Sequence, residues 1–259
     1  MINSVRYHGL DALRAFAMIM GIVLHSCMFY LEDAGPKLAY EMTGDRVTTP
    51  TSDFLAVIFM FIHSWRMPVF FLIAGFFARL LVHRRGISGL LRNRFVRILV
   101  PLIVVSLVYN IIFQFGALNQ THHLWFLHDL IWMYTLLLII RSSSKFMPLM
   151  INRIDWIFGS TKRLWLLMLL LVPTTVTGRP FFFNLMPWIT EIGIPGPFFT
   201  LGFSYFLIGW FMHRNIRILE DLAHSWKKYL AVGTGCFVLL MFILAALDES
   251  NIMDEGTRG

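Results

Sequence analysis

The sequence predicts an all-α protein: a polytopic transmembrane helix bundle of about seven spans, with its N-terminus in the cytoplasm. Three observations carry that expectation. Only 14% of the 259 residues are charged and 57% are hydrophobic, whereas a soluble domain carries about a quarter charged residues. The apolar residues fall in runs close to the roughly 20 residues a helix needs to cross a bilayer. Lys and Arg collect in alternate loops, the pattern that sets orientation in a membrane.

The runs place spans at about 11–31, 54–82, 98–118, 124–140, 163–178, 198–212 and 229–247, within a single membrane domain over 1–259. Pro68 falls inside the second span, where neighbouring helices satisfy the carbonyl it frees. Between spans two and three lie Arg84, Arg85, Arg92, Arg94 and Arg97. Between four and five lie Arg141, Lys145, Arg153, Lys162 and Arg163, and between six and seven Arg214, Arg217, Lys227 and Lys228. The intervening loops carry only Lys37 and Arg46, then none, then Arg179. All three basic segments share one side of a seven-span chain, so the N-terminus reads as inside and the C-terminus as outside. The net charge of +7 is thereby explained by topology and implies no nucleic-acid partner. Asp11 and Arg14 interrupt any simple basic leader and no small-residue cleavage site follows, so the first run reads as a retained helix. Cys27 and Cys236 lie far apart in apolar runs, which argues against a disulfide framework.

Ionisable residues inside a span are expensive and ask for a reason. Helix one carries Asp11, Arg14 and His25. Arg14 and His25 are eleven residues apart, about 16 Å along the axis at 1.5 Å per residue, and eleven steps of about 100° return to nearly the same direction. Both therefore project from one face, with Met18 and Gly21 between them, as a polar lane running from the cytoplasmic boundary towards the outer half of the membrane. Gly21 has no side chain and lets a neighbouring helix or a ligand approach. The plainer reading is an Arg that snorkels to headgroups and a His bonded to another helix; for the aligned pair the functional reading is the stronger. On helix two, His63 and Arg66 are three apart and so neighbours on one surface. Arg66 is too deep to snorkel and needs acceptors, with Asp129, Asn110 and Gln114 as candidates, or a substrate oxygen; a structural ion pair is the alternative.

Helix four opens with His122, His123, Trp125, His128 and Asp129 near the outer surface. The spacing matches no closed zinc pattern and no thiolate is near, so no metal is expected and the group reads as the lining of a polar cavity. Arg94 and Arg97, one turn apart at the inner mouth of helix three, present planar forks of donors suited to phosphate. On spacing alone, the reading as an anchor for anionic lipid is the stronger.

The stretch Arg6 to Ala15 (RYHGLDALRA) with His25 resembles the first helix of the membrane acyltransferase 3 family. In order along the chain, His63 to Phe77, Arg92 to Pro101, His123 to Leu127 and Phe198 to Trp210 resemble later stretches of it, closest to the subgroup that modifies periplasmic glucans. The resemblance covers most of 6–210, and its specific element is the combination of Arg–ten residues–His with Arg-x-x-Arg. It implies a multi-pass protein of the bacterial cytoplasmic (inner) membrane that moves an acetyl or succinyl group from cytoplasmic acyl-CoA to a hydroxyl of a periplasmic or cell-surface glycan. Acyl-CoA enters as donor substrate, and no permanently bound cofactor is implied. Carried onto this chain, His25 and Arg14 are the catalytic pair, Arg94 and Arg97 hold the CoA, and His63, Arg66, His123, Trp125, His128 and Asp129 contact substrate. His25 suits a general base near neutral pH. Membrane lipid, a second copy of the chain and glycan-synthesis proteins are the other expected partners. Family members generally have about ten spans, so seven implies a shortened chain. A transporter or flippase of a polar substrate, and an inactive fragment, are the competing readings.

Overall fold

The computed structural model describes residues 7–32, 34–43, 48–112, 124–142, 146–164, 166–167 and 199–257. The described residues are mostly helical, without a strand. They group into two compact units, Met1–Asn215 and Ile216–Gly259.

The first helix, α1 (His8–Cys27), runs on through a 3-10 turn at Met28–Tyr30 and ends where Leu31 turns extended. A short α2 (Ala34–Thr43) follows. The long α3 (Asp53–Arg94) starts at Ser52, whose hydroxyl accepts from the Leu55 amide at 3.4 Å. That cap satisfies one of the donors a helix N-terminus leaves open, and Asp53 in the first turn faces the positive end of the dipole. Pro68 is carried without leaving helical dihedrals; the break comes at Gly86, with φ 69 and ψ −174. A π-helical turn at Phe95–Leu99 leads into α4 (Val100–Ile112). The remaining helices of the first unit are α5 (Trp125–Ser142), α6 (Phe146–Phe158) and α7 (Phe199–Arg214). The second unit holds α8 (Arg217–His224) and α9 (Trp226–Thr257).

Among the described residues, three stretches are long and apolar enough to cross a membrane: His8–Tyr30, Asp53–Val108 and Trp226–Ile243. The middle one has 56 residues, about 84 Å of helix at 1.5 Å per residue, well over twice the roughly 30 Å hydrocarbon core. It contains the expected second span and the start of the third, divided by Gly86 and the π-turn. The stretches expected as the fourth, sixth and seventh spans are helical, in α5, α7 and α9, and of these three helices only α9 holds one of the stretches long and apolar enough to cross. Most of the fifth, 163–178, lies outside the described residues. Large apolar side chains such as Phe16, Ile22, Phe54, Ile111 and Phe242 are exposed, as suits surfaces that meet lipid.

Helix α3 is the hub of the first unit. Against α1 it packs antiparallel: the Tyr7 ring meets Phe76 edge-on at 5.3 Å, while Leu24, Cys27 and Met28 at the other end of α1 share a cluster with Phe59 and Ile62. Against α7 the approach is closer. A Cβ on Gly75 would collide with the Phe206 carbonyl, and one on Gly209 with the Leu72 carbonyl. Small residues that let backbones touch are how helices associate without a hydrophobic driving force in lipid. Phe76, Phe206 and Trp210 are fully buried around this crossing.

Candidate functional site

The α1–α3 seam joins two groups that the sequence placed on separate helices. The buried residues of α1 are Ala17, Gly21, Leu24 and Cys27, and Arg14 and His25 lie along the edge of this ridge. Arg14 is half exposed, pairs with Asp11 at 3.5 Å and leans over the Phe77 ring at 5.8 Å. Met18, expected within the lane, is 63% exposed. Gly21 is covered by Arg66: a methyl group added there would lie 2.5 Å from Nη1 of the guanidinium. Arg66 thus crosses from α3 onto the one bare position of α1 between Arg14 and His25. His25 is exposed, one turn beyond Gly21, and the antiparallel register sets it level with His63. His63 stacks on Phe59 at 5.4 Å, and Trp65 stacks on Phe16 at 5.8 Å.

Among the described residues, the buried Nε of Arg66 and the buried Nε1 of Trp65 have no hydrogen-bond partner. Buried donors are normally satisfied, so two neighbouring exceptions ask for an acceptor. They form a donor pair on the face of α3 turned to α1.

An adjoining side of α3 meets the start of α5. Phe70 contacts Phe126 edge-on at 5.4 Å, and Phe71 lies 6.5 Å from Trp125. His128 and Asp129 are buried behind them, with Nδ1 of His128 3.7 Å from the Asp129 carboxylate. The Trp132 indole donates to Nε2 of His128 at 3.3 Å. An accepting Nε2 leaves the neutral imidazole proton on Nδ1, facing Asp129. His123 and Gln114 lie outside the described residues, as does the side chain of Asn110. No group of three or more metal-ligating side chains occurs among the described residues.

The arginine motif at the α3–α4 junction is split by local geometry. Arg94 is half-buried, with its guanidinium 4.9 Å from the Tyr134 ring centroid and its Nε without a hydrogen-bond partner among the described residues. Arg97 is exposed. The π-turn starts at Phe95, and its wider winding spreads positions i and i+3 that an α-helix keeps adjacent. Beside Arg94 a largely apolar groove of about 400 Å³ runs between this turn and α5, lined by Arg92, Phe95, Ile98, Tyr134 and Leu138 among others. Tyr134 was not singled out from the sequence. It sits mid-helix in an apolar run, and only the fold brings Arg94 onto it.

The profile of the acyltransferase domain known as acyltransferase 3 matches residues 7–255. The chain belongs to the acyltransferase 3 family. Among curated proteins, this family member is 30% identical over 102 residues to the glucans biosynthesis protein C of Shigella dysenteriae serotype 1 (strain Sd197), which is 39% of this chain and 24% of that protein. It is 29% identical over 108 residues to the glucans biosynthesis protein C of Escherichia coli O1:K1, again 39% of this chain and 24% of the relative. The acyltransferase 3 chain thus aligns with about a quarter of the length of these relatives. No solved structure matches it.

Proposed function

We propose that this acyltransferase 3 chain moves an acetyl or succinyl group from cytoplasmic acyl-CoA to a hydroxyl of a periplasmic or cell-surface glycan, with seven spans and its N-terminus inside, in the bacterial inner membrane. Family membership supports transferase chemistry, and the name of the relatives, glucans biosynthesis protein C, supports a glucan acceptor. The observation that carries the residue roles is the guanidinium of Arg66 laid on Gly21, one turn from His25 and level with His63.

In this reading the acyl thioester carbonyl sits beside His25. His25 takes the proton of the acceptor hydroxyl as its oxygen attacks the carbonyl carbon. Negative charge then develops on the carbonyl oxygen, and collapse of that intermediate breaks the C–S bond. The proton passes from His25 to the departing CoA sulfur, leaving an ester and free CoA. Arg66 is the cation for the oxyanion, since Gly21 lies only about 6 Å along the axis from His25, against about 16 Å for Arg14. Arg14 is left for the donor side of the lane. Arg94, beside an apolar groove, suits the CoA end, with Arg97 as the outer contact. His63 and Trp125 line the acceptor side, with His128 and Asp129 fixing the wall behind them, and His123 keeps the substrate-contact role that the family resemblance implies.

The test is the purified chain in lipid nanodiscs with labelled acyl-CoA and a glucan. Ester label on the glucan supports transfer, while unmodified glucan carried across a vesicle bilayer supports a transporter. His25→Ala is expected to lower turnover by about 10²–10⁴-fold, the usual worth of a positioned general base. Full activity in that variant, present at normal level in the membrane, would end the role of His25.

A further inference from the structure

A second basic site lies between α3, α5, α6 and α7 and shares no lining residue with the Arg94 groove. Arg79, Arg141 and Arg214 line one cavity of about 240 Å³, with Trp210, Phe211 and Ile151 as its apolar walls. At about 30 Å³ per water, that is space for roughly eight waters, enough for a phosphate group and part of its ester.

Its charge balance is uneven. Asp155 is already engaged on both oxygens: Nε of Arg214 donates to Oδ2 at 2.8 Å and Nδ2 of Asn215 to Oδ1 at 3.0 Å. Arg79 lies over the Trp210 ring at 5.3 Å, and Trp210 is 1% exposed, so that guanidinium rests on a rigid floor. The bland account is that basic residues near helix C-termini complement the dipole. It covers Arg141 and Arg214, which close α5 and α7. It does not cover Arg79, which is half-buried within α3 and well ahead of the last turn before the break at Gly86.

We propose that this cavity is a phosphate-binding site for a doubly charged phosphate ester. Two guanidiniums beyond the Arg214–Asp155 pair match two negative charges, and the planar forks match phosphate oxygens. A soluble nucleotide such as CoA and the headgroup of an anionic lipid both carry this chemistry. The site does not depend on the roles given to His25 or Arg94.

The full chain in phosphatidylcholine nanodiscs separates the sources. In one arm CoA is titrated in solution, and in the other phosphatidic acid is added to the discs, with binding read by calorimetry or native mass spectrometry. Arg79→Gln and Arg141→Gln are each expected to weaken at least one probe tenfold or more. Arg153→Gln, an exposed change on α6, should leave both probes unchanged, and Asp155→Asn should tighten the affected one. Loss in the CoA arm identifies a nucleotide site, and loss in the lipid arm a headgroup site. Should Arg79→Gln not insert, Arg141→Gln carries the test, because Arg141 is exposed and packs little. Parent-like affinity for both probes in the arginine variants overturns the proposal, as does equal weakening by Arg153→Gln. If Arg94→Gln alone abolishes CoA binding while Arg141→Gln changes neither probe, the cavity proposal falls and the donor role of Arg94 stands.

Discussion

Gly21 and Arg66 work as a pair, because the absence of one side chain sets the position of the other. A methyl group at Gly21 would meet the far end of a flexible Arg, so Gly21→Ala moves the guanidinium and leaves the helix crossing intact. The expected outcome is a loss of acyl transfer on the order of 100-fold, the scale of a 1 Å misplacement near a reacting centre. Thermal unfolding in detergent should change little. A large fall in melting temperature with unchanged specific activity would show that Arg66 serves the fold instead. The residue types at this site were legible in the sequence: intramembrane His and Arg stand out by their desolvation cost. Their partnership was not, since nothing in the spacing of α1 says which residue of α3 arrives at Gly21.

At the scale of elements, the α3–α7 crossing depends on two glycines whose Cβ positions are filled by the facing backbone. Backbone yields far less readily than a side-chain tip. Gly75→Ala and Gly209→Ala are each expected to destabilise the protein by about 1–3 kcal/mol, as overpacking does, and to cut folded yield in detergent before activity per folded molecule. Wild-type melting in both variants would mean that the two backbones do not touch at this crossing. Helix positions were readable because apolar runs of bilayer length leave few alternatives. The π-turn was not readable. It changes winding by one residue without altering composition, and it separates Arg94 from Arg97, which α-helical counting had placed side by side.

For the whole molecule, orientation decides whether the lane from Arg14 to His25 points outward. Alkaline phosphatase fused after residue 46 should be active, and fusions after residues 90, 160 and 222 inactive, because the basic segments stay in the cytoplasm. The reverse pattern would put His25 on the donor side and sink the proposed route. Charge asymmetry and composition made the membrane class legible at once. The three-arginine cavity escaped notice because Arg141 and Arg214 were fully accounted for as topology signals. Only packing brings Arg79 to them, thirteen residues from Arg66 on the same helix. One property of a residue can thus satisfy two demands, and the first explanation found hides the second.

Gly86 leaves a different trace. Nothing lies within 4 Å of where its side chain would begin, yet its φ is 69. Substitution there is governed neither by size nor by polarity, only by handedness. An L-residue is strained at φ 69 and ψ −174, a region essentially reserved for Gly. The mirror image of that conformation is ordinary extended backbone, so a D-residue fits it. Gly86→Ala made ribosomally should therefore melt lower than the parent, whereas D-alanine placed at the same position by semisynthesis should match or exceed it. If both enantiomers melt alike, the turn at Gly86 is not held in the folded protein. Otherwise the break within the long helix is a chiral checkpoint, a place where the chain tells left from right with no neighbour to help it.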